Sequence, residues 1–373
     1  MHILIIGNGF DLAHGLPTRY SDFINQIQIG SDFYNFVLND SGFSKKMFNR
    51  VKDSIVLKYL KSELQINEGW IDFENEIREI IDGMCELPSL LRRKTYKQNK
   101  EIVSKLVLEG ERINDVSPFI YRILLHHKEI KDQWTLEEFR ELENNVHQQI
   151  QDFIDLFKEY IVWIIQTKMD SLSQINIFSK MKVDCLLSFN YTPTFSKLYN
   201  IKNENICYVH GEISEDGNNG IVMGVGSDIY NEHKHDKYVD FFKFYQCYKH
   251  STNNNYLAWI DKLEKGHISW GTSFESLNTD NTFISIFGHS LDPTDRNVLK
   301  PFLDLKDIPV FIYYLNDRNR FELEKNLLKI LGKERFSEYL TEKNPKIQFK
   351  KISKNENKKE ITEEMQSGGM ELS

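Results

Sequence analysis

Gly7-Asn8-Gly9-Phe10-Asp11 follows directly on the apolar run His2-Ile3-Leu4-Ile5-Ile6, and at that junction the chain could hold a phosphate. An apolar run of strand length that breaks into paired glycines is how a buried parallel strand opens into a tight turn. Glycine has no Cβ, so backbone N–H groups there can approach a pyrophosphate closely. A Cβ at Gly9 is expected to intrude on such a phosphate. The full dinucleotide pattern has a third glycine where Leu12 stands, so a strand-to-helix turn that binds nothing is the other reading of the same residues.

Other apolar runs end in the same way. Val183–Phe189 leads into Ser188-Phe189-Asn190-Tyr191-Thr192, and Ile206–Val209 leads into His210-Gly211-Glu212. Ile221-Val222-Met223 leads into Gly224-Val225-Gly226-Ser227, Phe283–Phe287 into Gly288-His289-Ser290, and Val310–Tyr314 into Asn316-Asp317. Each of these endings also suits a turn. Taken together they describe a polar crevice, because ligands of open α/β sheets sit at the carboxyl ends of the strands.

Elements of two kinds must position these residues. The runs are apolar throughout rather than alternating, as parallel strands covered on both faces are, and helical segments lie near 236–264, 293–305 and 318–332. That order predicts an α/β fold with a doubly wound, mostly parallel, Rossmann-like sheet. Between the first and second strands lie about 160 residues that read almost entirely as helix. The clearest segment opens on Thr135 with Glu138 three residues on, a capping-box pattern. Phe139, Leu142, Val146, Ile150, Phe153, Phe157, Ile161 and Ile164 then form one stripe at spacings of three and four. Residues 44–64 and 96–127 carry the same period less regularly. The expected organisation is a core of residues 1–19 and 180–353, a helical insertion at 20–179 and a disordered polar tail at 354–373.

Composition removes several classes of function. The net charge of −8 disfavours duplex nucleic acid as the main partner, because counterion release needs clustered Lys and Arg. The basic run Leu91-Arg92-Arg93-Lys94 is short enough to be a solvated loop. The four cysteines, Cys85, Cys185, Cys207 and Cys247, form no C-x-x-C pair, so no metal centre is expected and a reducing cytosol suits them. With no secretory leader and no run long enough to span a bilayer, a cytoplasmic protein is expected.

The motifs in order carry a resemblance. Gly7-Asn8-Gly9-Phe10-Asp11 followed by Gly15-Leu16-Pro17-Thr18-Arg19-Tyr20 is similar to the sirtuin opening motif, G-A-G-x-S, a spacer, then G-I-P-D-F-R. Ser188-Phe189-Asn190-Tyr191-Thr192 resembles the sirtuin T-Q-N-I-D, and Val209-His210-Gly211 its H-G. Gly288-His289-Ser290-Leu291 resembles G-T-S-L, and Leu315-Asn316 the late I-N that meets the adenosine. The same motifs, with Trp70-Ile71-Asp72-Phe73-Glu74, look like those of the AbiH family, a bacterial phage abortive infection group with a sirtuin-like core.

The resemblance implies NAD as ligand or substrate, with Asn190 and His210 as the catalytic pair. It implies cofactor-binding roles for Gly7, Asn8, Gly9, Phe10, Asp11, Pro17, Arg19, Ser188, Gly224, Gly288, His289, Ser290 and Asn316, with His14 as pocket lining. Asp72 and Glu74 either begin a helix, where the dipole favours acids, or approach the pocket. This chain departs from sirtuins in lacking the four-cysteine zinc module, and Phe189, Thr192 and Asp11 replace the family's glutamine, aspartate and serine. Those losses disfavour acyl-lysine recognition, while Asn190 and His210 remain. The expected chemistry is then hydrolysis of NAD to nicotinamide and ADP-ribose. Asn190 would hold the ribose or a water, and His210 would be the general base. The alternative is a nucleotide-binding sensor that does not turn its ligand over. Both leave room for a phage-derived trigger and for self-association.

Overall fold

The computed structural model describes residues 1–39, 45–66, 72–92, 119, 136–214, 220–226, 230–250, 252, 254–266, 282–341 and 344–352. Thr135, Ser227, most of the 96–127 segment and the 354–373 tail lie outside these residues. The chain folds as two compact units. One comprises Met1–Thr18, Ile164–Val222 and Cys247–Ser373, and the other Arg19–Trp163 with Met223–Gln246.

The first unit is built on a six-stranded, all-parallel sheet. Its strands are β1 (His2–Ile6), β2 (Cys185–Ser188), β3 (Ile206–Tyr208), β4 (Phe283–Phe287), β5 (Val310–Tyr314) and β6 (Ile347–Lys351). They lie in the order β3-β2-β1-β4-β5-β6. The chain therefore builds outward from β1 in one direction and then, after returning to β4, in the other. Alternate residues of β1 feed two cores, as strand geometry requires. Ile3 and Ile5 join Leu187, Ile284, Ile286, Leu299 and Phe302 on one face. Leu4 and Ile6 join Phe10, Phe178, Leu186 and Phe195 on the other. Both faces are covered, which explains why β1 reads as a continuous apolar run.

Two strand expectations differ from the structure. Ile221-Val222-Met223 is buried but forms no strand. Its backbone is paired with loop atoms instead: the Val222 N–H donates to the His210 carbonyl, and the Tyr191 hydroxyl donates to the Val222 carbonyl. An apolar run reports burial, and a strand needs a ladder as well. Conversely, β6 at the sheet edge pairs with β5 from Val310↔Ile347 to Tyr314↔Lys351, although Ile-Gln-Phe-Lys-Lys is too polar to announce itself.

The second unit is helical. Its longest helix, Leu136–Lys168, runs on into the first unit, and every residue of the stripe from Phe139 to Ile164 is buried. Within the second unit its ring stack continues through Phe23, which meets Phe153 and Phe157 edge-on, and Phe73, which stacks on Phe153 at 4.7 Å. Arg50 clamps Asp152 through two hydrogen bonds, at 2.9 and 3.0 Å. No helix among the described residues is long and apolar enough to cross a membrane.

At the amino edge of the sheet His2 is buried, its Nδ1 bonded to the Lys182 carbonyl and its Nε2 to the Ser285 hydroxyl. Burial pushes its pKa down to about 4 from an ordinary 6.5. The unfolded chain takes a proton on His2 near pH 6.5, whereas the folded chain refuses it until about pH 4. The His2 contribution to stability is therefore lost as pH falls between those values. Relative to His2→Gln, the wild type is expected to lose about 2–3 kcal/mol of unfolding free energy between pH 7 and 4.5. Chemical denaturation of both proteins at the two pH values checks this; a constant difference contradicts it.

Candidate functional site

Register decides which loop residues meet. Ile6 is level with Ser188 and Phe287, and Ser188 with Tyr208. The segments 7–11, 189–192, 209–211 and 288–291 therefore leave the sheet side by side at its carboxyl edge. This edge gathers Asp11, Asn190, His210 and His289, all buried.

The glycines of the first turn answer to the neighbouring strand. The Gly7 N–H donates to the Phe287 carbonyl at 3.2 Å and the Gly9 N–H to the Gly288 carbonyl at 2.8 Å, while the Phe10 N–H turns back to Gly7. A Cβ on Gly7 would sit 2.7 Å from His289 Cα, and one on Gly9 2.6 Å from Gly288 Cα. Gly288, at φ +68, faces the Gly9–Phe10 backbone in return. A side chain at Gly9 therefore meets the backbone of the β4 loop whether or not a phosphate is bound. Gly9→Ala and Gly288→Ala should each lower stability by about 2–4 kcal/mol, read as a drop in melting temperature without any ligand present. An unshifted melt would contradict this packing.

Asp11, on the short helix Asn8–Ala13, is fully buried. Its Oδ2 accepts from the Thr192 hydroxyl at 2.5 Å, and the Thr194 hydroxyl donates to Thr192 at 2.9 Å. Its Oδ1 has no partner, and neither does the buried Nδ2 of Asn190. The Asn190 amide lies close enough to depress the Asp11 carboxyl, yet not in a geometry that makes a hydrogen bond. Burial nevertheless dominates and pushes the Asp11 pKa up to about 6. The Ser188 hydroxyl fixes Asn190 by accepting its backbone N–H at 3.2 Å.

The second group is a carboxylate held between two imidazoles. Asp295 Oδ1 lies 3.1 Å from His210 Nε2, and its Oδ2 lies 3.5 Å from His289 Nε2. The other ring nitrogen of His289, Nδ1, accepts the Leu291 N–H at 2.8 Å. Phe189 packs edge-on against both rings, at 5.3 and 4.2 Å. Leu291 adopts φ +56, a left-handed conformation costly for a residue with a side chain, and is wholly buried. The loop thus spends backbone energy to present His289.

The remaining sequence-derived residues are placed as follows. Phe10 is core, among Phe178, Phe195 and Phe287. His14 is tied to the Phe10 carbonyl and the Tyr199 hydroxyl, each at 2.8 Å, which makes it a structural histidine of this turn. Asn8, exposed, accepts from Thr18 at 2.5 Å, with Pro17 just before it in the chain. Ser290 is exposed, and its carbonyl accepts from Asn326. Asn316 caps the helix Asp317–Leu331, its Oδ1 accepting the Asn319 N–H. Arg19 and Gly224 fall in the helical unit. Arg19 is exposed there and begins the helix Tyr20–Gln26, and Gly224 is packed against the Phe241 carbonyl. Asp72 caps the helix Phe73–Arg92 by accepting the Asn75 N–H, and Glu74 pairs with Lys243 at 2.8 Å. No cluster of His, Cys, Asp or Glu able to hold a metal occurs among the described residues.

Asp295 was not singled out by the sequence. It lies in the helical segment expected near 293–305, whose first turn Asp292 caps by accepting the Thr294 N–H.

Asp11→Asn isolates the cost of the buried carboxyl. The unfolded chain ionises Asp11 near pH 3.8 and the folded chain only near 6, so the wild type loses stability as pH rises through that interval. At pH 7.5 the Asn variant should be more stable by about 1–3 kcal/mol, an advantage that shrinks toward pH 4. Denaturation at both pH values measures it, and a less stable variant at pH 7.5 would contradict the reading.

The family comparison agrees with the motifs. No curated protein and no solved structure matches the chain. The family model for bacteriophage abortive infection AbiH matches residues 3–314, most of the chain and the whole run of strand-end motifs up to β5. The chain belongs to the AbiH family of bacteriophage abortive infection proteins.

Proposed function

We propose that the carboxyl edge of the sheet binds NAD or a closely related nucleotide and cleaves the bond between nicotinamide and ribose with water. The observation that carries this reading is the pair of buried polar atoms without partners, Asp11 Oδ1 and Asn190 Nδ2. Leaving such groups unpaired costs about 1–3 kcal/mol each, and a ligand that supplies one donor and one acceptor removes that cost. A sugar hydroxyl is both.

Position supports the same reading. The strand order reverses between β1 and β4, and this is the order of doubly wound nucleotide-binding sheets, whose ligands sit at the reversal. The fit is to the sugar end of the nucleotide. The amides of Gly7, Gly9 and Phe10 are committed within the protein, so a pyrophosphate would be met by other groups of this edge.

His210 supplies the proton chemistry. With Nε2 on Asp295, its other nitrogen is available to accept a proton. In the proposed step a water oxygen bonds to the anomeric carbon and its proton passes to His210. The carbon–nitrogen bond breaks, and its electron pair stays on the nicotinamide ring, which leaves neutral. Asn190 holds the sugar or the water. In the setting of abortive infection such a reaction would deplete the cofactor of an infected cell.

Purified protein incubated with NAD should release nicotinamide and ADP-ribose in equal amounts, followed by chromatography. Asn190→Ala and His210→Ala should each abolish most of this release while keeping the fold. The double variant should be little worse than either, because groups that act on one step lose most of their value together. Folded single variants with full activity would refute these roles. Wild type that binds NAD without ever cleaving it, with phage present as well, would make the protein a sensor.

A further inference from the structure

We infer that Asp295 is a positioning residue that fixes the proton of His210 on Nε2 and thereby presents Nδ1 to the reacting bond. The inference rests on the cleavage reading above for its catalytic consequence, but the protonation pattern stands on the protein alone.

The pattern follows from two hydrogen bonds, Leu291 to His289 and His210 to Asp295, joined by the longer contact between His289 and Asp295. The Leu291 N–H can only donate, so His289 Nδ1, 2.8 Å away, must accept and carries no proton. The neutral His289 ring then bears its proton on Nε2, which faces Asp295 Oδ2 at 3.5 Å. The carboxylate has only acceptors to offer, so His210 Nε2, at 3.1 Å from Oδ1, also bears a proton. Each of these residues is buried, and water is poorly placed to substitute for any of them. In its neutral form His210 then carries its lone pair on Nδ1, the form a general base requires. One carboxylate sets both rings, and the donor that starts the pattern is a backbone amide whose position is held by the unusual φ of Leu291.

The same logic predicts what an amide does in place of the carboxylate. Asn at 295 keeps the shape but has one acceptor and one donor. His289 Nε2–H cannot reverse without stranding the Leu291 N–H, so it claims the amide oxygen. The amide NH2 then points at His210 Nε2, which must become an acceptor and pass its proton to Nδ1. The base is thereby blocked, with little change in packing, as when a carboxylate-to-amide exchange inverts a catalytic histidine elsewhere.

The test is nitrogen-resolved NMR of the two histidines in the full chain, with nicotinamide release measured in parallel. In the wild type the neutral form of His210 should show a protonated Nε2 and a bare Nδ1. In Asp295→Asn the pattern should invert, and release should fall about a thousandfold or more. The double variant Asp295→Asn, His289→Phe removes the competing donor, and His210 should return to the Nε2–H form. A neutral wild-type His210 protonated on Nδ1, or an unchanged His210 in folded Asp295→Asn, would overturn the inference. The wild-type spectrum decides the first point even if the variant does not fold. Failure of every form to release nicotinamide would sink the cleavage reading, while the spectra would still judge Asp295 independently.

Discussion

The close approach of two backbone turns governs the rest of the first unit. The turn after β1 and the turn after β4 are joined by Gly7 N–H to Phe287 and Gly9 N–H to Gly288, at a separation that admits no Cβ on either side. This contact sets where Asp11 enters from one turn and where His289 enters from the other. The second turn carries two left-handed residues, Gly288 and Leu291. A side chain at any of the three glycines would move the polar groups apart before it affected any ligand.

Around that contact the protein accepts energetic costs that a purely structural core avoids. Asp11 is buried with one oxygen unpaired, Asn190 with an unpaired amide nitrogen, and Asp295 serves two imidazoles at once. His2, at the opposite end of the same sheet, shows the contrast: it is equally buried, but both its nitrogens are satisfied. Among the described residues of this unit, incomplete satisfaction is confined to the carboxyl edge of β1 and β2, where a ligand of a parallel sheet belongs.

How much of this was legible depended on the range of the interaction. The helix Leu136–Lys168 was readable because its eight stripe residues repeat at a local period, and β1, β2, β4 and β5 were readable because burial on both faces makes strands uniformly apolar. The segment 221–223 misled because it is buried without a ladder, and β6 was missed because an edge strand needs only Ile347 well buried. Asn190 and His210 were legible as strand-end residues, and the structure places both at the carboxyl edge of the sheet. Asp295 was not legible, because its partner His210 lies 85 residues away in sequence and only the register of the folded sheet brings them together. For Phe10 and His14 the motif gave position without packing, and the structure adds that the Phe10 ring lies in the core and that His14 is bonded to the Phe10 carbonyl and the Tyr199 hydroxyl.

A crystal structure of the chain grown with ADP-ribose tests the central claim most directly. The account requires the ribose next to the severed bond to lie within hydrogen-bonding distance of both Asp11 Oδ1 and Asn190 Nδ2, with His210 Nδ1 turned toward its anomeric carbon. A nucleotide bound elsewhere on the protein, with those two atoms still unpaired, would contradict it.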